Sequence, residues 1–70
     1  MSQLPNNLKS LRNQKGYTQS KVAEKLDIPL KRYQAWEEGR SEPHSEMLLA
    51  IARLYDITVD ELLKPENNIN

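Results

Sequence analysis

Apolar residues recur at intervals of three and four along almost the whole chain, which is the period of one face of an α-helix. Leu4, Leu8 and Leu11 show this spacing near the N-terminus. No convincing stretch alternates between apolar and polar residues, as a strand would. The pattern therefore predicts an all-α chain of five short helices, at about residues 5–15, 19–26, 29–38, 45–55 and 59–64.

The ends of the predicted helices carry their own signals. Gly16 and Gly39 suit the left-handed conformation that commonly ends a helix. Thr18 is a good N-cap for the second helix, because its hydroxyl can accept a backbone N–H of the first turn. Thr58 and Glu61 have the spacing of a capping box before the fifth helix.

The link between the second and third predicted helices is the most informative segment. Only Asp27 and Ile28 separate them, which is too short for antiparallel packing, so the third helix must cross the second steeply. A steep crossing brings two backbones close together and needs a small residue, which Ala23 supplies. The inward positions that would join the two helices are Val22, Leu26, Ile28, Tyr33 and Trp36. This arrangement predicts a helix-turn-helix.

Composition excludes several classes of function. The 70 residues include no cysteine and one histidine, His44, so we expect no disulfide and no bound metal. There is no Gly-rich phosphate loop and no Ser/His/Asp set, and we expect neither an enzyme nor a cofactor or small-molecule ligand. No apolar run approaches the roughly 20 residues that span a bilayer, and the first residues do not resemble a signal peptide. We expect a cytoplasmic protein without membrane contact, with one domain over residues 1–65 and a flexible tail over residues 66–70.

Charge is zero overall but unevenly distributed along the chain. Residues 1–40 carry eight Lys and Arg against four acids, whereas residues 41–70 carry two against six. Zero net charge argues against a nucleic-acid binder. The basic first part argues for one surface that meets phosphates.

A long ordered set of residues resembles a known family. Residues 18–26 read Thr-Gln-Ser-Lys-Val-Ala-Glu-Lys-Leu, and Ile28, Tyr33, Trp36-Glu37, Gly39, Pro43, Leu48, Ala52, Leu54 and residues 57–62, Ile-Thr-Val-Asp-Glu-Leu, follow in order. Over residues 8–63 the chain resembles the Cro/cI-type helix-turn-helix family, also called the XRE family. The resemblance implies a compact five-helix, lambda-repressor-like domain that binds a double-stranded DNA operator. It also implies a homodimer, at least when the domain is bound to DNA. It implies a transcription regulator, with repression favoured over activation, that is associated with the nucleoid when it is bound to DNA.

The resemblance also implies roles for individual residues. The third helix would lie in the major groove and the second across the DNA backbone. Gln19 matches a glutamine that contacts a phosphate, at a helix N-terminus whose N–H groups and dipole favour an anion. The remaining matches are Leu30, Lys31 and Ala35 at base-reading positions, Arg32 beside a phosphate, Arg40 and Ser41 in a loop that touches phosphate, and Arg12 with Glu37 as a buried ion pair.

A helical wheel of residues 30–38 describes the same surface from the residues alone. Tyr33 and Trp36 point to the core. The positions that point away are Lys31, Gln34, Ala35 and Glu38, with Leu30 and Arg32 on the flanks. Glu37 falls near the core side, where an unpaired carboxylate is unfavourable, so a partner such as Arg12 is expected.

Several residues depart from the family's pattern. Asp27 stands where glycine is usual, but aspartate tolerates the left-handed conformation better than most residues. Pro29 occupies the position of a Ser or Thr cap, so the third helix should lack a side-chain cap. Leu30 and Ala35 could reach only a thymine methyl, Glu38 would repel phosphates, and base reading would rest on Lys31 with Gln34 or Arg32.

These departures leave a second function open. Zero net charge, Leu30, Ala35 and Glu38 are also compatible with a protein-interaction module, such as an antitoxin-like partner or adaptor with weak or lost DNA binding. Dimerisation has a separate signal, because Val59, Leu63 and Ile69 leave apolar surface near the C-terminus.

Overall fold

The described part of the chain forms five helices, as the apolar spacing predicts. The structure is a computed structural model and describes residues 3–65. Its helices are α1 (Leu4–Lys15), α2 (Gln19–Leu26), α3 (Leu30–Glu38), α4 (Ser45–Tyr55) and α5 (Val59–Leu63), and no strand occurs among residues 3–65. The predicted tail over residues 66–70 lies outside the described residues. No helix in the described part of the chain is both long enough and apolar enough to cross a membrane.

The core takes one fully buried apolar side chain from each helix. These five residues are Leu8, Val22, Tyr33, Ile51 and Leu62. The cluster is completed by the buried residues Leu4, Ala23, Trp36 and Tyr55. Because α1 packs on α3 and α5 while α2 packs on α3 and α4, every helix reaches the same centre. Hydrophobic burial therefore ties the helix-turn-helix, α2 and α3, to the other three helices.

Each of the first four helices ends in the same way. The residue after the helix is left-handed, and these residues are Gly16, Asp27, Gly39 and Asp56. The next N–H then donates to a carbonyl five residues back, as from Ile28 to Ala23 at 3.0 Å and from Ile57 to Ala52 at 2.9 Å. This bond is the signature of the Schellman motif, which satisfies carbonyls that the helix leaves unpaired. The expectation that Asp27 adopts this conformation is confirmed, since its φ is 60°.

The short link through Asp27 and Ile28 joins α2 to α3 and limits the angles at which the two helices can pack. Ala23 is buried in α2, and its small side chain allows a neighbouring helix to pack closely. Pro29 precedes α3 in an extended conformation without a side-chain cap, as expected. In its place the Pro29 carbonyl accepts the N–H groups of Arg32 and Tyr33 at 3.1 and 3.3 Å.

The shortest helix, α5, is held at both ends by side chains. At its start the predicted capping box is present, with Glu61 N donating to Thr58 Oγ1 at 3.0 Å and Thr58 N donating to Glu61 Oε1 at 2.9 Å. At its end the buried Asn7 of α1 donates from Nδ2 to the carbonyls of Leu62 and Lys64, both at 2.8 Å. A helix of five residues is not stable by itself, so these bonds and the burial of Leu62 keep it in place.

Replacement of Asn7 by alanine should destabilise the domain by about 1–3 kcal/mol, because two carbonyls at the end of α5 lose their donor. The urea unfolding midpoint measures this change. Asn6→Ala is the matched control, because Asn6 is the exposed neighbour in the same turn of α1. Equal midpoints for the two variants would show that Asn7 does not hold α5.

Candidate nucleic-acid interface

One side of α3 faces solvent and carries the residues that could enter a groove. We define the outer face of α3 as Leu30, Lys31, Gln34 and Glu38. Gln34 follows Leu30 by four residues and Lys31 by three, and Glu38 follows Gln34 by four, so these side chains lie along one side of the helix. Leu30 is 37% exposed, and Lys31 and Glu38 are also exposed, while Gln34 is half-buried. The opposite side of α3 is buried through Tyr33 and Trp36.

Ala35 does not belong to this outer face. It is only 9% exposed, so the expectation from the helical wheel that it points outward is wrong. The reason is the loop after α3, in which Arg40 N and Ser41 N both donate to the Ala35 carbonyl at 3.0 and 3.5 Å. The chain therefore folds back beside the backbone of Ala35. Arg40 and Ser41 themselves are exposed.

The cations around the outer face differ in how strongly they are engaged. Lys31 is exposed and has no ion pair within residues 3–65. Arg32 lies over the Trp36 ring, with Cζ 5.9 Å from the ring centroid, so a cation–π interaction directs its guanidinium. Arg40 Nε donates to Glu38 Oε1 at 2.7 Å, and both side chains are exposed. Lys31 is therefore the cation most available to a ligand on this face.

The start of α2 lies beside this face and brings Gln19 to it. Thr18 caps α2, since its Oγ1 accepts the N–H of Lys21 at 3.0 Å. Gln19 is the first residue of α2 and is half-buried. Its Oε1 accepts from Gln34 Nε2 at 3.1 Å, which joins the first turn of α2 to the outer face of α3.

Beneath Gln19 lies a buried carboxylate that is bonded to three helices. Glu37 of α3 is 2% exposed. Arg12 of α1 donates to both of its oxygens, from Nε to Oε2 at 2.6 Å and from Nη2 to Oε1 at 3.3 Å. Tyr33 donates its hydroxyl to Oε2, and Gln19 of α2 donates from Nε2 to Oε1 at 3.0 Å. Each carboxylate oxygen thus accepts two hydrogen bonds.

Arg12 also fixes the segment that leads into α2. Its Nη1 donates to the carbonyl of Tyr17 at 3.0 Å, one residue before the Thr18 cap. Lys25 of α2 lies over the Tyr17 ring, 5.3 Å from the centroid. The guanidinium therefore connects α1, α3 and the entry to α2.

Comparison with known proteins identifies this arrangement. The family model of the helix-turn-helix matches residues 8–62, which is most of the chain. The chain belongs to the XRE-type helix-turn-helix family. This family is a class of DNA-binding transcription regulators.

Relatives of this XRE-type domain are transcription regulators by name. The chain is 44% identical over 62 residues to the HTH-type transcriptional regulator YqaE of Bacillus subtilis (strain 168), which covers 89% of this chain and 53% of YqaE. It is 37% identical over 62 residues to the HTH-type transcriptional activator BcrR of Enterococcus faecalis, which covers 89% of this chain and 30% of BcrR. The chain thus spans about half the length, or less, of these relatives.

A solved structure supports the fold of the XRE-type domain. A transcriptional regulator from Listeria innocua superposes with a TM-score of 0.85 over 99% of this chain and 64% of that chain. Their sequence identity is 23%, so this similarity concerns the fold alone. The all-helical, five-helix architecture agrees with it.

Protonation equilibria at the Glu37 cluster of the XRE-type domain favour the charged pair. Burial would raise the pKa of Glu37, but hydrogen bonds from Arg12, Tyr33 and Gln19 outweigh it and hold that pKa below its usual value. The hydrogen bond to Glu37 raises the pKa of Arg12. Burial, followed by the hydrogen bond to Glu37, raises the pKa of Tyr33, so its hydroxyl stays a donor. Burial also raises the pKa of Tyr55 to about 12.

The sequence did not show two of these features. The bond from Gln34 to Gln19 joins residues 15 apart, and the hydroxyl of Tyr33 serves as a donor although its ring lies in the core.

Elsewhere, a groove of about 340 Å³ opens between α1 and α5, away from the outer face of α3. No group of three or more His, Cys, Asp or Glu in the described part of the chain could hold a metal ion.

Replacement of Glu37 by glutamine should destabilise the XRE-type domain by about 3 kcal/mol at pH 7, because it leaves a partly buried guanidinium without its carboxylate. Because the pKa of Glu37 is lower in the folded than in the unfolded chain, its stabilisation is fully present above about pH 4.5 and is lost as the pH falls below that value. The stability gap between wild type and Glu37→Gln should therefore narrow on acidification.

Chemical denaturation at pH 7, 5 and 3 measures this gap. Glu61 also has a lowered pKa, from the Thr58 backbone hydrogen bond, but it is present in both proteins and cancels in the comparison. Glu42→Gln, at an exposed position, serves as the charge-matched control and should behave as wild type. A gap that is independent of pH would contradict the ion-pair account.

Proposed function

We propose that this domain binds double-stranded DNA, with the outer face of α3 in the major groove and α2 across the backbone. The observation that carries the proposal is an exposed helix face with an unengaged cation, Lys31, on a helix-turn-helix held rigidly by Glu37. The width of a B-DNA major groove admits an α-helix. The relatives' names, which are those of transcription regulators, support the same function.

The contacts in this proposal follow from the positions of the residues. Lys31 and Gln34 face the base edges, and Leu30 can meet a thymine methyl. Gln19, Arg32, Arg40 and Ser41 flank the face and would contact phosphates. The role is one of binding rather than catalysis, in the cytoplasm and on the nucleoid, and we propose repression as the regulatory outcome.

A homodimer on DNA is part of the proposal. Two domains would bind half-sites about one helical turn apart, roughly 34 Å. Leu63 in α5 is 42% exposed and Val59 is half-buried, which supports pairing near the C-terminal helix, while Ile69 lies outside the described residues. Analytical ultracentrifugation of the protein, alone and with duplexes of one or two half-sites, tests this directly.

Selection from a randomised duplex library, followed by fluorescence anisotropy at several salt concentrations, tests DNA binding itself. We expect an enriched site and a log–log salt slope near −0.9 for each neutralised phosphate. A reporter gene under the selected site should be repressed. If no duplex is enriched and only protein partners perturb the domain's NMR signals, the protein-interaction module is the function instead.

Lys31→Ala should weaken binding to the selected site by about 1–3 kcal/mol, because it removes the one unengaged cation of the outer face. Anisotropy titration at a fixed salt concentration gives the change. Arg53→Ala removes the same charge from an exposed position of α4, which takes no part in the proposed contacts, and should have little effect. Equal losses in both variants would assign the effect to net charge and not to Lys31.

Glu38→Gln should strengthen binding two- to fivefold, on the order of 1 kcal/mol or less as expected for exposed charges. The substitution removes a carboxylate that repels phosphates and that occupies Arg40 in the free protein. Glu42→Gln changes net charge equally without this ion pair, so the difference between the two variants isolates the effect of Glu38. Weaker binding by Glu38→Gln would show that this carboxylate contacts the DNA favourably.

A further inference from the structure

Two surface amides and one buried carboxylate form a single line of hydrogen bonds. Gln34 Nε2 donates to Gln19 Oε1 at 3.1 Å, and Gln19 Nε2 donates to Glu37 Oε1 at 3.0 Å. A primary amide has a donor end and an acceptor end of nearly the same size, so a lone surface glutamine can turn over to suit its partner. Here the buried carboxylate of Glu37, at one end of this line, prevents the amides of Gln19 and Gln34 from turning over.

The direction of the line is set by Glu37. An ionised carboxylate only accepts hydrogen bonds, so the group that meets its Oε1 must be the N–H end of Gln19. The carbonyl end of Gln19 then faces Gln34, which must present an N–H in turn. Turning either amide over would place two donors or two acceptors against each other. The donors Arg12 and Tyr33 hold the carboxylate itself in place.

The outward edge of Gln34 follows from this direction. One of its two N–H groups is taken by Gln19, which leaves its carbonyl oxygen and its second N–H without a partner in the described part of the chain. An acceptor beside a donor is the complement of adenine, which offers N6–H beside N7 in the major groove. Guanine offers two acceptors there, thymine an acceptor and a methyl, and cytosine a donor alone. Gln34 lies midway along the outer face of α3, between Lys31 and Glu38.

We propose that Gln34 is a specificity-determining residue that reads an adenine, and that Gln19 and Glu37 are positioning residues that hold its amide in the reading direction. The proposal rests on the proposed DNA binding and deepens it. The buried charge of Glu37 would thereby determine which base the surface amide of Gln34 prefers.

The first experiment is library selection with the wild-type domain and with Gln34→Ala. We expect Gln34→Ala to lose the preference for adenine over guanine at one base pair of each half-site, by roughly 5- to 150-fold, while the other positions keep theirs. Gln14→Ala, at an exposed glutamine of α1, is the control and should reproduce the wild-type site. Failure of the wild type to select any site would refute the proposed function, whereas a selected site unchanged by Gln34→Ala would overturn only this inference.

The second experiment tests positioning through a double-mutant cycle of Gln19→Ala and Gln34→Ala. Loss of a phosphate contact or of stability in Gln19→Ala weakens binding to all sequences equally and leaves the ratio of adenine to guanine affinity unchanged. We expect that ratio to fall in Gln19→Ala, and the double variant to lose little more than Gln34→Ala alone. A full adenine preference in Gln19→Ala would overturn the positioning role.

A substituted base tests the contact with the protein unaltered. Duplexes with 7-deazaadenine at the selected base pair lack the N7 acceptor, so wild type should bind them severalfold more weakly than adenine. Gln34→Ala should bind both duplexes equally. Equal binding by wild type would refute a bidentate contact, and thermal unfolding of each variant confirms that the compared proteins are folded.

Discussion

The buried carboxylate of Glu37 is the constraint on which the arrangement of the helix-turn-helix depends. A carboxylate that is 2% exposed is tolerated only with full hydrogen bonding, and here its donors come from α1, α2 and α3. Such a cluster adds little net stability over an apolar core, but loss of one member is strongly unfavourable. Its effect is therefore on placement, because the three helices must keep the separation and rotation that satisfy every bond.

Apolar packing and helix ends supply what the charge cluster does not. One fully buried side chain from each helix holds the five helices around one centre, and the left-handed residue after each of the first four ends them abruptly. The short turns leave few possible angles between neighbouring helices. Glu37 then selects among those angles the one that brings Gln19 beside α3. The outer face of α3 is consequently held in position by packed helices and not by a flexible loop.

Features with a local cause could be predicted from the sequence, and features with a distant cause could not. The five helices, the left-handed Asp27 and the capping box of α5 each follow from a few consecutive residues. Asp56 could have been found in the same way, because the sequence Asp-Ile follows α4 as it follows α2. The role of Asn7 depends on carbonyls 55 and 57 residues away, for which the chain carries no local signal. The helical wheel was wrong for Ala35 because it gives the direction of a side chain on an isolated helix. It does not include segments that fold back beside the helix, such as the loop that bonds to the Ala35 carbonyl.

The third helix is poorly equipped to exist without the remainder of the domain. It has no side-chain cap at its start, and its last turn holds two acids, Glu37 and Glu38, and no basic residue, which opposes the helix dipole. Nine residues with these ends would be mostly unfolded as a peptide in water. Transplanting its surface residues onto an unrelated scaffold would therefore transfer the side chains but not their relative positions, unless α1 and the start of α2 are transplanted with them.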